Sequence, residues 1–484
     1  MSTDKESACQ YKGCGRKVAR DGMCIFHLPD KNPSEAEEFD SLVLAEISRI
    51  HKDESLHFID LGGFRFPRPI YKFPTGIIFE KPIDFTAALF EGQADFSGSE
   101  FMSGANFGYA IFSEKASFDR VIFHHAADFL GSQFLRDAVF TNSVFSRYPN
   151  FSHAKFSGDA DFSNTRFLDL TFFINSEFLG SVSFVDVKFS GRVIFEKAKF
   201  SGWSTSFFGS EFLGDSDFFE SKFSSHAVFN RSKVASLVTF RSTIFQTTDD
   251  QILSSPIDRY THFEEIKVDA QGEVRFEGGI CMSRVSLHNA DVRRFNFLDV
   301  KWGRLGDRAS IVEHAILEER KKLSADEKKG LPDITPEHIQ QIYVRLRRNL
   351  ERSAGRYPEA GDFFINEKEM RKLILQEKTG WPPARNLAEW IILKLYGWLA
   401  LYGESIMRPI FWIVVTVFAF AALKIVFFRI QTTDAKPYLD FLMESVMAFF
   451  QMRSEPGLDI LERLISVPIL GSLFIALKRK FERR

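Results

Sequence analysis

The chain has 484 residues, with 62 Lys and Arg against 64 Asp and Glu and a formal net charge of −2. That balance excludes a globally basic nucleic-acid binder, and the length suggests about three domains. Four cysteines are too few for a disulfide scaffold of this size.

The opening MSTDKESACQ is polar and unlike a secretion signal. Cys9, Cys14, Cys24 and His27 follow with the spacing C-x4-C-x9-C-x2-H. Close pairs separated by a turn are the usual supply of tetrahedral zinc ligands. All four positions are filled, so a closed structural zinc site over residues 1–31 is expected, in a reducing compartment. Gly13, Gly15 and Gly22 suit tight knuckles, and Lys12, Arg16, Lys17 and Arg20 would offset thiolate charge. Free thiols on a frayed tail, or a redox switch, are the competing readings. The next stretch, 32–72, reads as a capping helix and lead-in. Ser34 and Glu37 match a capping box, and Phe39, Leu42, Val43, Ile47 and Ile50 form an apolar face.

Phenylalanine then takes over: the chain holds 55 Phe but only 10 Tyr and 6 Trp. From Phe79 the rings recur at alternating steps of five and six, through Phe85, Phe90, Phe96 and Phe101 to Phe200. One residue slips within SGWSTSFFGSEF, where Phe207 or Phe208 takes the slot. The rhythm resumes at Phe212, Phe218, Phe223, Phe229, Val234, Phe240 and Phe245. A small or β-branched residue stands two positions before most of them, as at Ala88, Ala94 and Val121. Neither a helix, near 3.6, nor a flat strand, near 2, has this period. Fixed self-similarity marks a solenoid. Four short sides of five or six residues make a 22-residue coil. At about 4.8 Å per coil, the span holds roughly 7.5 coils. The open end of such a rod exposes its rings, so a cap is required.

This pattern resembles the pentapeptide-repeat family in its Phe-rich form, with one extra residue per pair of five-residue units. The resemblance implies a right-handed quadrilateral β-helix, an all-β solenoid, over 73–250. Residues 251–305 are expected to hold an insertion, with QTTDDQILSSPIDRYTHFEEIKVDAQGEV breaking register, and a final coil. That coil follows the plain five-residue form: Met282, Leu287, Val292, Phe297 and Trp302, each with an apolar residue two positions earlier.

Residues 306–380 read as amphipathic helices. Thr335 and Pro336 start one, with Ile339, Ile342, Tyr343, Leu346 and Leu350 on a single face. Ala360, Phe363, Phe364, Met370 and Leu373 line the next. Together they resemble a helical hairpin of the tetratricopeptide kind. Residues 381–484 read as an interfacial helix, carrying Trp390, Trp398 and Tyr402, and a transmembrane hairpin. Pro409–Phe428 is long enough to cross the hydrocarbon layer, with Lys424 snorkelling from its end. The run from Leu464 to Leu477 supplies a second span. Lys478, Arg479, Lys480, Arg483 and Arg484 orient the tail toward the cytoplasm. The two spans return the N-terminal domains to that side of the cell inner (cytoplasmic) membrane. This layout resembles the C-terminal module of membrane-bound pentapeptide-repeat proteins.

No Ser-His-Asp set, P-loop or carboxylate pair stands out, and the chain is read as a non-enzyme with no catalytic residues. The expected function is a membrane-anchored binding, scaffolding or sensing surface for a protein partner of unknown identity. The alternative is an oligomeric two-span pore gated by the solenoid, because the segment between the spans has a span–helix–span layout. It lacks a TVGYG-like filter, which favours a helix lying on the membrane surface instead. Duplex-DNA mimicry needs a strongly acidic rod. Residues 79–245 hold about 19 acids and 15 bases, so nucleic-acid-related roles are disfavoured.

Overall fold

The computed structural model describes residues 8–12, 14–67, 70–72, 76–245, 260–322, 334–352, 359–377, 384–427, 436–452 and 458–482. Gly13, the stretch 246–259, Pro456, Gly457, Phe428, Arg483 and Arg484 lie outside them. Two compact units divide the chain, 1–333 and 334–484.

The first unit is a parallel β-solenoid of ten coils, counted along its ten-stranded face. Each coil pairs in register with the next: Phe112 lies opposite Phe90 and Phe134, and Ala116 opposite Ala94 and Ala138. A second face has nine strands. The remaining two faces merge into one sheet because Ile122–Asp128 and Val144–Asn150 run unbroken through the corner between them.

The rings answer to this register. Four interior columns stack face to face, with centroids from 4.4 Å for Phe66–Phe90 to 5.6 Å for Phe276–Phe297. Most contacts fall near 4.8 Å, as in Phe118–Phe140 and Phe134–Phe156. That is the strand spacing itself. Two columns also meet edge to face across the interior, as Phe118 and Phe129 do at 5.4 Å and 90°, the arrangement a ring quadrupole prefers. The small position two residues earlier accepts a hydroxyl where it can be satisfied. Thr165 and Ser232 are fully buried and donate to the carbonyls of Phe140 and Phe207 in the preceding coil, at 2.6 and 2.7 Å.

The alternation of five and six follows from two kinds of bend. In the five-residue step the third residue of the turn has positive φ: Ala87, Tyr109, Arg120, Asn142, His153 and Asn164 all do, with Gly98 and Gly131 in the same series. The turn closes through bonds such as Ala88 N–H to Phe85 O, 2.9 Å. An Asp or Asn just before the ring accepts from the amide two residues on, as Asp128 does from Leu130. The six-residue step bends elsewhere, and there coils approach closely. A Cβ on Gly180 would collide with the Gly158 carbonyl, and one on Gly202 with the Gly180 carbonyl.

Several expectations change. Coil pairing starts at Ile59 and Phe66, within the expected lead-in. Phe207, not Phe208, takes the slipped slot, 4.8 Å from both Phe184 and Phe229. The extra residue goes to a bend beside exposed Trp203. The stretch read as an insertion returns to register early. Thr261–His262, Lys267–Val268 and Glu273–Glu277 pair with the coil before them, and Phe263 stacks on Phe229 at 4.8 Å. Its lower Phe density hid the coil. Of the plain five-residue positions, Met282, Leu287, Val292 and Phe297 are buried, while Trp302 is only half-buried. His124 is half-buried beside Glu100 at 3.3 Å, and His125 is exposed.

Both ends are covered. Helix α1 (Pro33–Lys52) presents Phe39, Val43, Ile47 and Ile50, with Phe39 5.3 Å from Phe66; Leu42 faces out. Its capping box is Asn32 and Glu35 rather than Ser34 and Glu37. Pro33 at the first helical position needs no N–H partner, which sets the start two residues earlier than the Ser suggested. At the other end, helix α2 (Val312–Lys322) buries Glu313, whose carboxylate accepts from Ser286 Oγ and the Leu287 amide. Burial pushes this carboxyl above the usual range, against the pull of those donors and of His262.

The second unit is helical. Helices α3 (Pro336–Arg352) and α4 (Glu359–Glu377) pair through Ile339, Ile342, Tyr343, Leu346 and Leu350 on one side and Ala360, Phe363, Phe364 and Met370 on the other. Leu373 is half-buried. Helix α5 (Ala384–Ala400) leads into α6 (Met407–Phe427), then α7 (Lys436–Phe449) and α8 (Leu458–Glu482). Within this unit, two helices, Met407–Val426 and Leu458–Phe481, are long and apolar enough to cross a membrane. Tyr402 is fully buried and donates to Glu369 at 2.8 Å, so it is no interfacial anchor. Lys424 does not snorkel outward: it is buried between Asp459 and Glu462.

Replacing Phe140 by Ala should cost about 3–5 kcal/mol in chemical unfolding, whereas exposed Leu135→Ala should stay within about 0.5 kcal/mol. Glu313 binds its proton more tightly folded than unfolded. Its contribution is therefore present in acid and lost as pH rises through the raised folded value. Thermal unfolding across pH should show that decline, and Glu313→Gln should flatten it.

Candidate metal centre

The first described residues form two tight turns. Cys9 N–H bonds to Arg16 O at 2.8 Å, and Cys14 N–H closes a turn onto Tyr11 O at 3.0 Å. Gly15 and Gly22 have φ of 58° and 76°, a conformation that favours glycine. Cys24 and His27 sit three apart on a single turn, closed by His27 N–H to Cys24 O, so both side chains point to one side.

The four side chains converge. Their ligand atoms all lie within 4.8 Å of one another. Cys24 Sγ is 3.2 Å from His27 Nδ1 and 3.6 Å from Cys14 Sγ, and Cys9 Sγ is 3.7 Å from His27 Nδ1. A tetrahedral ion bound at about 2.3 Å to sulfur would set thiolates about 3.8 Å apart, so the donor set fits a metal. Cys9, Cys24 and His27 are buried and Cys14 is half-buried. Burial pushes the Cys24 thiol up to about 12, so an isolated thiol there stays protonated. Burial also holds His27 below its ordinary value, opposed by the Gly62 carbonyl. A neutral imidazole with Nδ1 toward three sulfurs is a ligand rather than a charge partner.

The spacing pointed to four side chains that do converge, but not to their seat. Tyr11 stacks on His27 at 3.9 Å, and His27 meets Phe64 edge-on at 5.6 Å. Phe26 stacks on Phe64 at 4.6 Å, and its carbonyl accepts from Arg65 N–H at 2.8 Å. The knuckle therefore closes the first coil together with α1. Arg16, expected to offset thiolate charge, lies over the rings of Phe26 and Phe64, and Arg20 is held by Asp21 and Glu35. Among the described residues no second group of three such ligands converges. One metal ion per chain is expected by elemental analysis. Cys24→Ser should abolish it and lower the melting temperature, while exposed Cys281→Ser should leave both unchanged.

Residues 75–122, 118–166 and 162–210 match the family model described as pentapeptide repeats (9 copies). No curated protein and no solved structure matches the chain significantly. The repeat match covers coils whose rings, turns and register have the geometry given above. Over residues 75–210 the solenoid is built of pentapeptide repeats.

Proposed function

We propose that the chain is a non-enzymatic, membrane-anchored protein that presents its solenoid to a protein partner. The observation that carries this reading is the contrast between the two units. The solenoid keeps its rings inside and pairs charges between coils outside, as Lys199 does with Glu177 at 2.7 Å. The apolar helices do the opposite: Phe411, Val414 and Phe418 on α6 and Leu464 and Phe474 on α8 are exposed, which suits lipid. Helix α5 exposes Ile392, Leu395 and Trp398 beside them, the composition of an interfacial helix. Lys478, Arg479 and Lys480 favour a cytoplasmic C-terminus on the inner membrane, with the solenoid on the same side. Exposed Leu168, Leu179 and Trp203 among charged residues suit a protein partner. Zinc is the ion that three sulfurs and one imidazole select, holding the end cap in place.

Helix α7 favours a second reading. It packs against both α6 and α8 instead of lying apart, the plan of a pore helix between two spans. Fractionation should leave the chain in membranes after an alkaline wash, and deletion of 407–482 should release it. Cross-linking from membranes should capture one protein, lost in the Leu179→Glu, Trp203→Glu variant. Ion flux in liposomes from an oligomer of this chain alone would favour the pore. A chain found freely in the soluble fraction would overturn both readings.

A further inference from the structure

Three helices of the second unit converge on one set of polar side chains. Lys424 lies in the last turn of α6, Ser445 on α7, and Asp459 and Glu462 near the start of α8. Lys424 and Asp459 are 3% and 6% exposed, Glu462 and Ser445 not at all. Lys424 Nζ lies 2.7 Å from Asp459 Oδ1 and 3.4 Å from Glu462 Oε2.

The charges do not balance. Two carboxylates face one ammonium, in a bundle whose apolar core includes Val417, Phe449 and Ile469. Arg463 could have supplied a second positive charge, but its guanidinium turns to Gln451 at 2.9 Å. Glu462 Oε1 meets no hydrogen-bond donor among the described residues. Ser445 Oγ, which faces the same carboxyl group, has no partner of good geometry either. An uncompensated buried charge is neutralised rather than tolerated, and ionisable groups within membrane spans carry function more often than structure.

We infer that Glu462 binds one exchangeable proton where α6, α7 and α8 meet. The proton adds to the unpartnered carboxylate oxygen, the Ser445 hydroxyl accepts from it, and Lys424 and Asp459 remain a closed pair. The groups facing Glu462 are Lys424 from α6, Ser445 from α7 and Asp459 from α8. On α7, Asp440 is exposed and Glu444 half-buried. The cluster sits at the end of the hairpin where α6 finishes and α8 begins, so the proton exchanges with that side. Raising the pH removes it, leaves net negative charge inside the bundle and loosens the clasp; lowering the pH tightens it. The inference is independent of partner binding and of conduction.

Infrared spectroscopy of the full chain in lipid nanodiscs tests it. Buried Glu313 also holds its proton tightly, so every chain compared carries Glu313→Gln; at neutral pH the otherwise unmodified protein should show a protonated-carboxyl stretch that fades reversibly at alkaline pH. Glu462→Gln should remove that band and Asp459→Asn should keep it. Absence of the band in the otherwise unmodified protein overturns the inference, as does its survival in Glu462→Gln. A band that emerges only when Na⁺ and K⁺ are replaced by a bulky organic cation also overturns it, in favour of a metal-cation site.

Discussion

A phenyl ring stacked on the ring of the next coil must sit one strand spacing away, and this single distance governs the molecule. Backbone pairing fixes about 4.8 Å between coils. A flat ring is close to the one large side chain that repeats at that interval without leaving a gap or a clash. Aliphatic side chains take the slot only here and there, as where Val234 pairs in register with Phe212 and Val268. Each ring is worth about 1.5–3 kcal/mol of burial, and the edge-to-face contacts between columns add specificity. The backbone conforms to the rings: small residues or hydroxyls beside them, left-handed turns after alternate ones, and bare glycines where bends stack.

A stack of this kind has no natural end, and the chain spends much of its remaining sequence on closure. At the start, α1 and the cysteine knuckle share the task, with Phe39, Phe26 and His27 covering Phe64 and Phe66. At the finish, α2 brings a fully buried carboxylate onto the last coils. The cluster of Cys9, Cys14, Cys24 and His27 thus belongs to the physics of the rod as well. The knuckle is too small to hold a core of its own and contributes two rings, Phe26 and His27, to a larger one.

Where the period was strict, the sequence sufficed. Phe79 to Phe245 could be assigned to columns by counting, because one residue type had one job. The convergence of Cys9, Cys14, Cys24 and His27 was legible for the same reason: Cys and His at turn spacing have few other uses. Legibility failed where one residue could serve several ends. Ser34 looked like a cap, but Asn32 before Pro33 was the better one. Lys424 looked like an interfacial anchor because its partners, Asp459 and Glu462, lie far away in sequence. Thr261 to Glu277 looked irregular because Val268 stands in a ring slot and because Phe263 follows its column neighbour Phe229 by 34 residues instead of 22. The seat of the knuckle on Phe64 could not be read at all, since nothing local marks a ring as terminal.

The bends deserve a last consideration. The extra residue beside Trp203 and the twelve added between Phe245 and Thr261 both fall between paired strands. In neither case is the stacking disturbed: Phe207 lies over Phe184, and Phe263 over Phe229 although 34 residues separate the paired positions instead of 22. Added length therefore leaves the stacking on either side of it unchanged, and the bore keeps its gauge. Such a rod can acquire outward protrusions, or accept grafted peptides, while its interior remains blind to them.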